Sequence, residues 1–215
     1  MPFDFLKRKK YRSGQAAGAA VTPAAIQPGL PFDAATEDWR LVGRMLIDGR
    51  LSDALNKREP IAIDEVSWAP IDGSEALAPA PGLKSVDPYD LVIVLTGNEL
   101  PPEMSDSERS AHKVHKVSYE VALEVPPYRV VGTVYLYPGS EPDQMMGRSS
   151  EMFVPVVDAT ATIGDRVIGS ARVDVILVNR AYLRGVEQVD ARTGERHEKL
   201  PGSSLGGVNW TDRTR

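Results

Sequence analysis

The chain has 215 residues, 42% of them hydrophobic, and no cysteine, so it can build a packed core but not disulfides, thiolate nucleophiles or cysteine metal sites. Its net charge of −5 argues against nucleic acid binding along the general surface, because phosphate contacts need clustered Lys and Arg. No apolar run reaches the roughly 18 residues of a membrane-spanning helix, and charges interrupt any secretory signal, so we expect a cytoplasmic location.

The start of the chain combines apolar and basic side chains. Residues 1–12 carry five basic residues and Asp4, a net charge of +4, which leaves −9 for all other residues. Such a stretch is typical of a solvated tail, or of a weak tether to an anionic membrane surface or a protein partner. The candidate tethering residues are Phe3, Phe5, Leu6, Lys7, Arg8, Lys9 and Lys10. The following Ala-, Gly- and Pro-rich stretch is predicted to be a flexible linker, so residues 1–35 form one N-terminal segment.

Residues 36–102 are predicted to form a first β module. Ser52 is expected to cap a short helix, with Leu55 packing that helix against the sheet. No alternating strand precedes Arg40, so this module is interpreted as an incomplete copy that borrows a strand from the second module. Its predicted elements are strands at 39–47, 61–68 and 90–96, a turn at 48–49 and a long loop at 69–89.

Residues 103–190 are predicted to form a second β module, followed by a flexible C-terminal tail at 191–215. Ser140 is expected to cap a second short helix that ends at Gly147. The predicted strands span 117–125, 128–137, 152–162, 167–178 and 182–189.

A degenerate internal repeat relates the two modules. The stretch from Arg40 to Asn56 returns as the stretch from Arg129 to Met146, and each copy reads as a glycine-containing strand, a turn and a short helix. An apolar run ending in an acid follows each copy. The predicted fold is therefore mostly β, with two tandem small β-barrel-like modules that are Sm-like by analogy, each with one short helix.

The segment Arg50-Leu51-Ser52-Asp53-Ala54-Leu55-Asn56 resembles the signature of an uncharacterised bacterial domain family, a domain of unknown function. The second copy is similar to that family at Val157-Asp158-Ala159 and Val178-Asn179-Arg180, but its helix departs from the signature. The resemblance covers about 150 residues as two tandem degenerate copies. It implies a small β-rich module and carries no known activity.

The histidines give little indication of a metal site. His112 and His115 have a spacing compatible with metal binding on a helix, but they precede a predicted strand and lack a nearby third ligand. His197 lies in a polar tail and is expected to face solvent. We predict no bound metal and no cofactor.

Two pairs of aspartates align between the copies, Asp53 with Asp143 and Asp64 with Asp158. Paired carboxylates serve acid–base catalysis in many enzymes. Here the better interpretation is structural, with Asp53 and Asp143 at helix starts and the other two accepting backbone hydrogen bonds where strands turn. We predict no catalytic residues and no enzymatic activity.

A set of arginines and tyrosines is the remaining candidate binding surface. Arginines on strands more often pair with local acids, but together with tyrosine faces they are also typical of sites for single-stranded nucleic acid. The candidate binding residues are Arg40, Arg44, Arg129, Tyr135 and Tyr137, with Arg58 and Arg148 as further members of the strip.

The sequence therefore favours a non-enzymatic interaction or adaptor protein that acts on an unknown protein partner, with its basic N-terminus as either a candidate tether to a surface or a solvated tail. The alternative is a small-barrel protein that binds single-stranded nucleic acid. Oligomeric state is not predicted.

Overall fold

The computed structural model describes residues 29–96, 116–147 and 151–190 of the chain. The one α-helix in these ranges is α1 (Leu51–Asn56), and 3-10 helices span Pro88–Asp90, Pro142–Met146 and Arg180–Tyr182. The strands are β1 (Leu30–Ala35), β2 (Trp39–Met45), β3 (Ile61–Pro70), β4 (Ala78–Pro79), β5 (Ser85–Val86), β6 (Ile93–Thr96), β7 (Val117–Val125), β8 (Tyr128–Leu136), β9 (Phe153–Ile163), β10 (Arg166–Asn179) and β11 (Gly185–Gln188). No helix within the described ranges is long and apolar enough to cross a membrane.

The strands form one open sheet, which confirms the mostly β class. Its order is β11-β7-β8-β9-β10-β6-β1-β2-β3-β4, with β5 paired separately to β3. Every pairing described is antiparallel, and the two ends of the sheet do not pair with each other. The expected closed barrels are not seen. The reason is that β6 hydrogen-bonds to both β10 and β1, which joins the first half of the chain (β1–β6) to the second half (β7–β11) instead of closing either half on itself.

Two hydrophobic cores lie on opposite faces of the shared strands. In β6, Ile93 packs in the core of the second half, while the next residue, Val94, packs in the core of the first half. In β10, Ile176 likewise packs in the core of the second half and Leu177 in the core of the first half. Successive side chains of a strand point to opposite faces, so a strand buried on both sides reads as a continuous apolar run. The two halves therefore form one body around β6 and β10.

Strand β1 corrects the predicted linker boundary at residue 35. Leu30–Ala35 pairs with β2 along its whole length and with β6 at its C-terminal end, and Phe32 is 3% exposed. The first half thus has its own strand before Arg40. Phe32 and Ala34 alternate with polar or exposed neighbours, but this pattern is short and contains a proline. The strand could therefore not be distinguished by sequence from the Ala- and Pro-rich residues before it.

Neither predicted serine cap is present. The N-cap residue of α1 is Arg50, and that of the 3-10 helix Pro142–Met146 is Glu141, with no side-chain cap hydrogen bond at either. Gly147 ends the second helix as predicted, and Leu55 is fully buried. The predicted loop at 69–89 contains the two short strands β4 and β5.

Gly43 and Gly132 lie opposite matching irregularities of the sheet. The register of β2 with β3 shifts beside Gly43, and that of β8 with β9 shifts beside Gly132. The bulged residues Glu65 and Asp158 have φ of 53° and 52°. By its position in the bulge, Asp158 is therefore the counterpart of Glu65 rather than of Asp64, with which the sequence pattern aligned it.

Candidate functional site

A cavity of about 860 Å³ lies between α1 of the first half and strands β8 and β9 of the second. The polar residues of the Arg50–Asn56 segment line it, while Leu51 and Leu55 are buried in the core. The short helix α1 is therefore amphipathic, with its apolar face packed against the sheet and its polar face toward the cavity. The polar lining residues of the segment are Arg50, Ser52, Asp53 and Asn56.

The opposite wall of the cavity carries the two tyrosines predicted as binding residues. Tyr135 and Tyr137 are 50% and 59% exposed, and Lys116 Nζ lies 5.3 Å from the ring centroid of Tyr137. This distance is that of a cation–π contact. Cations and carboxylates are mixed around the cavity, which has Arg50, Lys116 and Arg180 together with Asp53, Glu141 and Glu151.

Two asparagines connect the halves beside this cavity. Asn56 Oδ1 accepts hydrogen bonds from the backbone N–H groups of Met152 and Phe153, at 2.7 and 2.8 Å. Asn179, which is fully buried, donates through Nδ2 to the carbonyls of Pro88 and Leu91. Both residues belong to the segments that carried the family resemblance, and in this structure their contacts stabilise the fold.

Arg180 fixes the 3-10 helix on the cavity wall. Its guanidinium donates to the carbonyl oxygens of Met145, near the end of that helix, and of Gly147, its C-cap residue. Burial lowers the pKa of Arg180, and the nearby carboxylate of Glu151 opposes that shift. Arg180 thus stabilises the end of this 3-10 helix on the cavity wall.

The predicted arginines do not form one strip. Arg40 and Arg44 lie on β2, whereas Arg129 lies on β8, and four strands separate β8 from β2 in the sheet. Each of the three pairs with an acid. Arg40 makes a two-bond contact with Asp33, at 2.9 and 2.6 Å, which raises the pKa of the guanidinium. Arg44 pairs with Glu65 and Arg129 with Glu124, both at 3.2 Å.

An exposed tryptophan pair, not predicted as a site, lies at the end of the β2–β3 ladder. The rings of Trp39 and Trp68 stack with centroids 4.8 Å apart and an interplanar angle of 21°. The two side chains remain 39% and 41% exposed. Trp68 pairs through its backbone with Ala78 of β4. We call Trp39 and Trp68 the tryptophan surface.

The turn before Trp39 is held rigidly. Thr36 Oγ1 accepts hydrogen bonds from the backbone N–H groups of Asp38 and Trp39, at 3.3 and 3.0 Å. The Thr36 carbonyl accepts a hydrogen bond from the hydroxyl of Tyr128, which belongs to the second half. The tryptophan surface is therefore preorganised by contacts from both halves of the molecule.

The strand alternation in β2 contained a signal for this surface, since it places Trp39 on the same face as Leu41. What the alternation could not show is that the apolar core ends at Leu41, which is 5% exposed, so that the next aromatic residue on that face reaches solvent.

Several predicted residues lie outside the described ranges. These are the tethering residues Phe3 to Lys10, together with Arg148 and the three histidines. Within the described ranges, no group of three or more His, Cys, Asp or Glu side chains is placed to hold a metal ion. No protein-family model, curated protein or solved structure matches the chain.

Proposed function

We propose that this protein is a non-enzymatic interaction or adaptor module that binds a protein partner through the tryptophan surface. The exposed stack of Trp39 on Trp68 is the observation that carries the proposal. Tryptophan is enriched among the residues that dominate binding energy at protein interfaces, because it buries a large, rigid apolar area.

The local structure supports this function. Both tryptophans stand on paired strands, and Thr36 fixes the turn that leads to Trp39. Side chains that are already ordered lose little conformational entropy on binding, so more of the contact energy appears as affinity.

A pull-down of the full chain from native lysate tests this proposal. We expect a protein partner to be retained by the wild type and lost with Trp39→Ala or Trp68→Ala, with no effect of nuclease. Tyr135→Ala is the matched control, because it removes an exposed aromatic side chain from a distant strand. Retention of the same partner by both tryptophan variants would contradict the proposal.

A second candidate function is the binding of single-stranded nucleic acid in the cavity. It is favoured by the exposed faces of Tyr135 and Tyr137 beside Lys116, since bases stack on aromatic side chains while cations contact phosphates. The carboxylates of Asp53, Glu141 and Glu151 on the same cavity oppose it. Salt-dependent binding of a labelled oligonucleotide that is lost with Tyr135→Ala and Tyr137→Ala would promote this function over the first.

Other parts of the proposal concern the whole chain. The matching geometry around Gly43 and Gly132 supports a common origin of the two halves as tandem copies of one module.

We further propose that the basic residues Lys7 to Lys10 tether the protein to an anionic surface. Replacing these residues with glutamine in the full chain should abolish recruitment to anionic vesicles, while the tryptophan-dependent retention of a protein partner in the pull-down should remain.

A further inference from the structure

We propose that the segment recognised by the tryptophan surface carries arginine side chains. This inference rests on the proposed function and specifies the chemistry of the partner. It follows from the aromatic faces on offer and from the charges that surround them.

The aromatic component is a pair of indole rings. A guanidinium over the face of tryptophan gains a cation–π interaction, and the planar guanidinium also stacks on the ring. One face of each indole is taken up by the stack, whose centroids are 4.8 Å apart, yet about two fifths of each side chain stays accessible.

The electrostatic component comes from two acidic turns beside the rings. Glu37 and Asp38 directly precede Trp39, and both are exposed. Asp72 and Glu75 lie in the turn after β3, which is tied to the first turn by a hydrogen bond from the Ile71 N–H to the Asp38 carbonyl, 2.8 Å long. The carboxylates of the two turns are Glu37, Asp38, Asp72 and Glu75.

Two arginines lie close to these turns and reduce the negative potential only in part. Arg166 donates to the carbonyl of Ile71, so one cation stands against the four carboxylates and leaves a formal charge of −3 among these groups. Arg40, next to Trp39, is neutralised by its two-bond contact with Asp33. The net negative charge of these two turns repels phosphate groups and attracts cations.

Arginine fits this surface better than lysine does. The guanidinium is more weakly hydrated than an ammonium group and presents a flat face to the ring with donors at its edge. A guanidinium stacked on Trp39 or Trp68 also gains from the negative potential of the two turns. A lysine ammonium satisfies the charge but not the stacking.

Fluorescence titration with synthetic peptides tests the inference on the full chain. The Trp210→Phe background leaves Trp39 and Trp68 as the only tryptophans, so their emission reports directly on the surface. The probe is a peptide of alternating arginine and glycine. Its matched controls carry citrulline, which has the shape of arginine without the charge, or lysine in place of arginine. We expect the arginine peptide to bind tightest and the citrulline peptide not to bind.

Two variants test the aromatic and the electrostatic contributions to peptide binding separately. Trp68→Leu keeps an apolar side chain but removes the ring, and should weaken the arginine peptide about tenfold. Glu37→Gln with Asp38→Asn keeps the shape of the turn and should weaken binding while flattening its salt dependence. Leu46→Ala, which removes an exposed apolar side chain just beyond the other end of β2, should change neither affinity nor salt dependence. Circular dichroism of each variant checks that the sheet is retained.

The outcomes distinguish this inference from the function on which it rests. Equal binding of the citrulline and arginine peptides, or undiminished arginine binding by Trp68→Leu, would overturn the arginine assignment. Absence of peptide binding, with a lysate partner still lost in Trp39→Ala, would also overturn it while leaving the interaction function in place. If neither peptide nor partner depends on the tryptophans, both proposals fail.

Discussion

At the scale of single residues, Asn179 shows how one buried side chain replaces missing backbone pairing. The residue is fully buried, and its side chain satisfies the carbonyls of Pro88 and Leu91 and the N–H of Ala181. The Pro88 carbonyl also accepts the backbone N–H of Leu91, whereas the carbonyl of the fully buried Leu91 is satisfied by the asparagine, and native structures avoid leaving such a group unpaired. The asparagine thereby holds the 3-10 helix Pro88–Asp90 against the end of β10.

Replacing Asn179 with leucine should lower the free energy of unfolding by about 2–4 kcal/mol, because buried polar groups lose their partners. Urea unfolding followed by circular dichroism measures the change. Ser118→Ala, on an exposed position of β7, is the control and should stay within about 0.5 kcal/mol of the wild type. A similarly small effect of Asn179→Leu would show that the asparagine bonds contribute nothing to stability.

Tyr128 should make the protein sensitive to alkaline pH. Its side chain is 1% exposed, and burial, with a smaller contribution from Asp38, raises the pKa of the phenol well above its usual value. A group whose pKa is raised on folding contributes stability that is complete below its unfolded pKa and is lost as pH rises above it. The loss should therefore begin near pH 10 and reach about 1.4 kcal/mol for each further pH unit.

Comparison of the wild type with Tyr128→Phe isolates this effect. The variant loses the hydrogen bond to the Thr36 carbonyl, which should lower the free energy of unfolding by about 1 kcal/mol at neutral pH. Above pH 10, however, its free energy of unfolding should decrease less steeply with pH than that of the wild type. Tyr135→Phe, which changes a half-exposed tyrosine, should keep the alkaline slope of the wild type. Identical slopes for wild type and Tyr128→Phe would refute the assignment to Tyr128.

At the scale of elements, the two bulged ladders depend on glycine for space rather than for backbone freedom. A Cβ at Gly132 would lie 2.8 Å from Val156 Cγ1 and 2.9 Å from Ala159 Cβ. A Cβ at Gly43 would meet the carbonyl of Asp64 at 3.0 Å and Val66 at 3.1 Å. The bulged strand passes so close to each of these glycines that only glycine fits without movement.

We expect Gly132→Ala to lower the free energy of unfolding by about 1–3 kcal/mol, and Gly43→Ala by less, because the contacts at Gly132 are shorter and lie in the core. Thermal and urea unfolding give the ranking. Gly82→Ala is the matched control, since nothing lies within 4 Å of its added Cβ. Equal stability of all three variants would contradict the crowding argument.

At the scale of the whole molecule, the shared strands β6 and β10 should make unfolding a single transition. Residues of both halves meet in the core that holds Phe32, Phe153 and Leu177. Separate modules would unfold independently, whereas halves that share a sheet and a core lose their contacts together.

Tryptophan emission in the Trp210→Phe background reports on the first half, and far-ultraviolet circular dichroism reports on all strands. We expect the two signals to coincide during urea unfolding, and Leu177→Ala, which empties a fully buried position, to shift both by about 2–5 kcal/mol. Leu46→Ala, at a residue that is 47% exposed, should shift neither appreciably. Two separated transitions would show that the halves fold independently.

The sequence by itself determined the element types and most of the strands. The alternation of Val117, Tyr119 and Val121 with polar residues predicts β7, because a half-buried strand needs a period of two. Gly147 ends its helix as predicted, and Pro142 lies in that helix's first turn. These features are local, so neighbouring residues suffice to specify them.

Only the tertiary structure decided how the strands join and where side chains meet. An apolar run such as Ile93–Thr96 shows that both faces are buried but not which strands flank it, and its pairing with β10 replaced the expected barrels by one open sheet. Arg129 and Arg40 occupy equivalent positions in the repeat predicted from the sequence, yet the strand order of the sheet separates them. Trp39 and Trp68 are 29 positions apart in the chain, and their stacking depends on a bulged register that local pattern does not encode. Contacts between distant residues arise from the packing of the whole sheet, and for that reason the candidate interaction surface became visible only in the folded molecule.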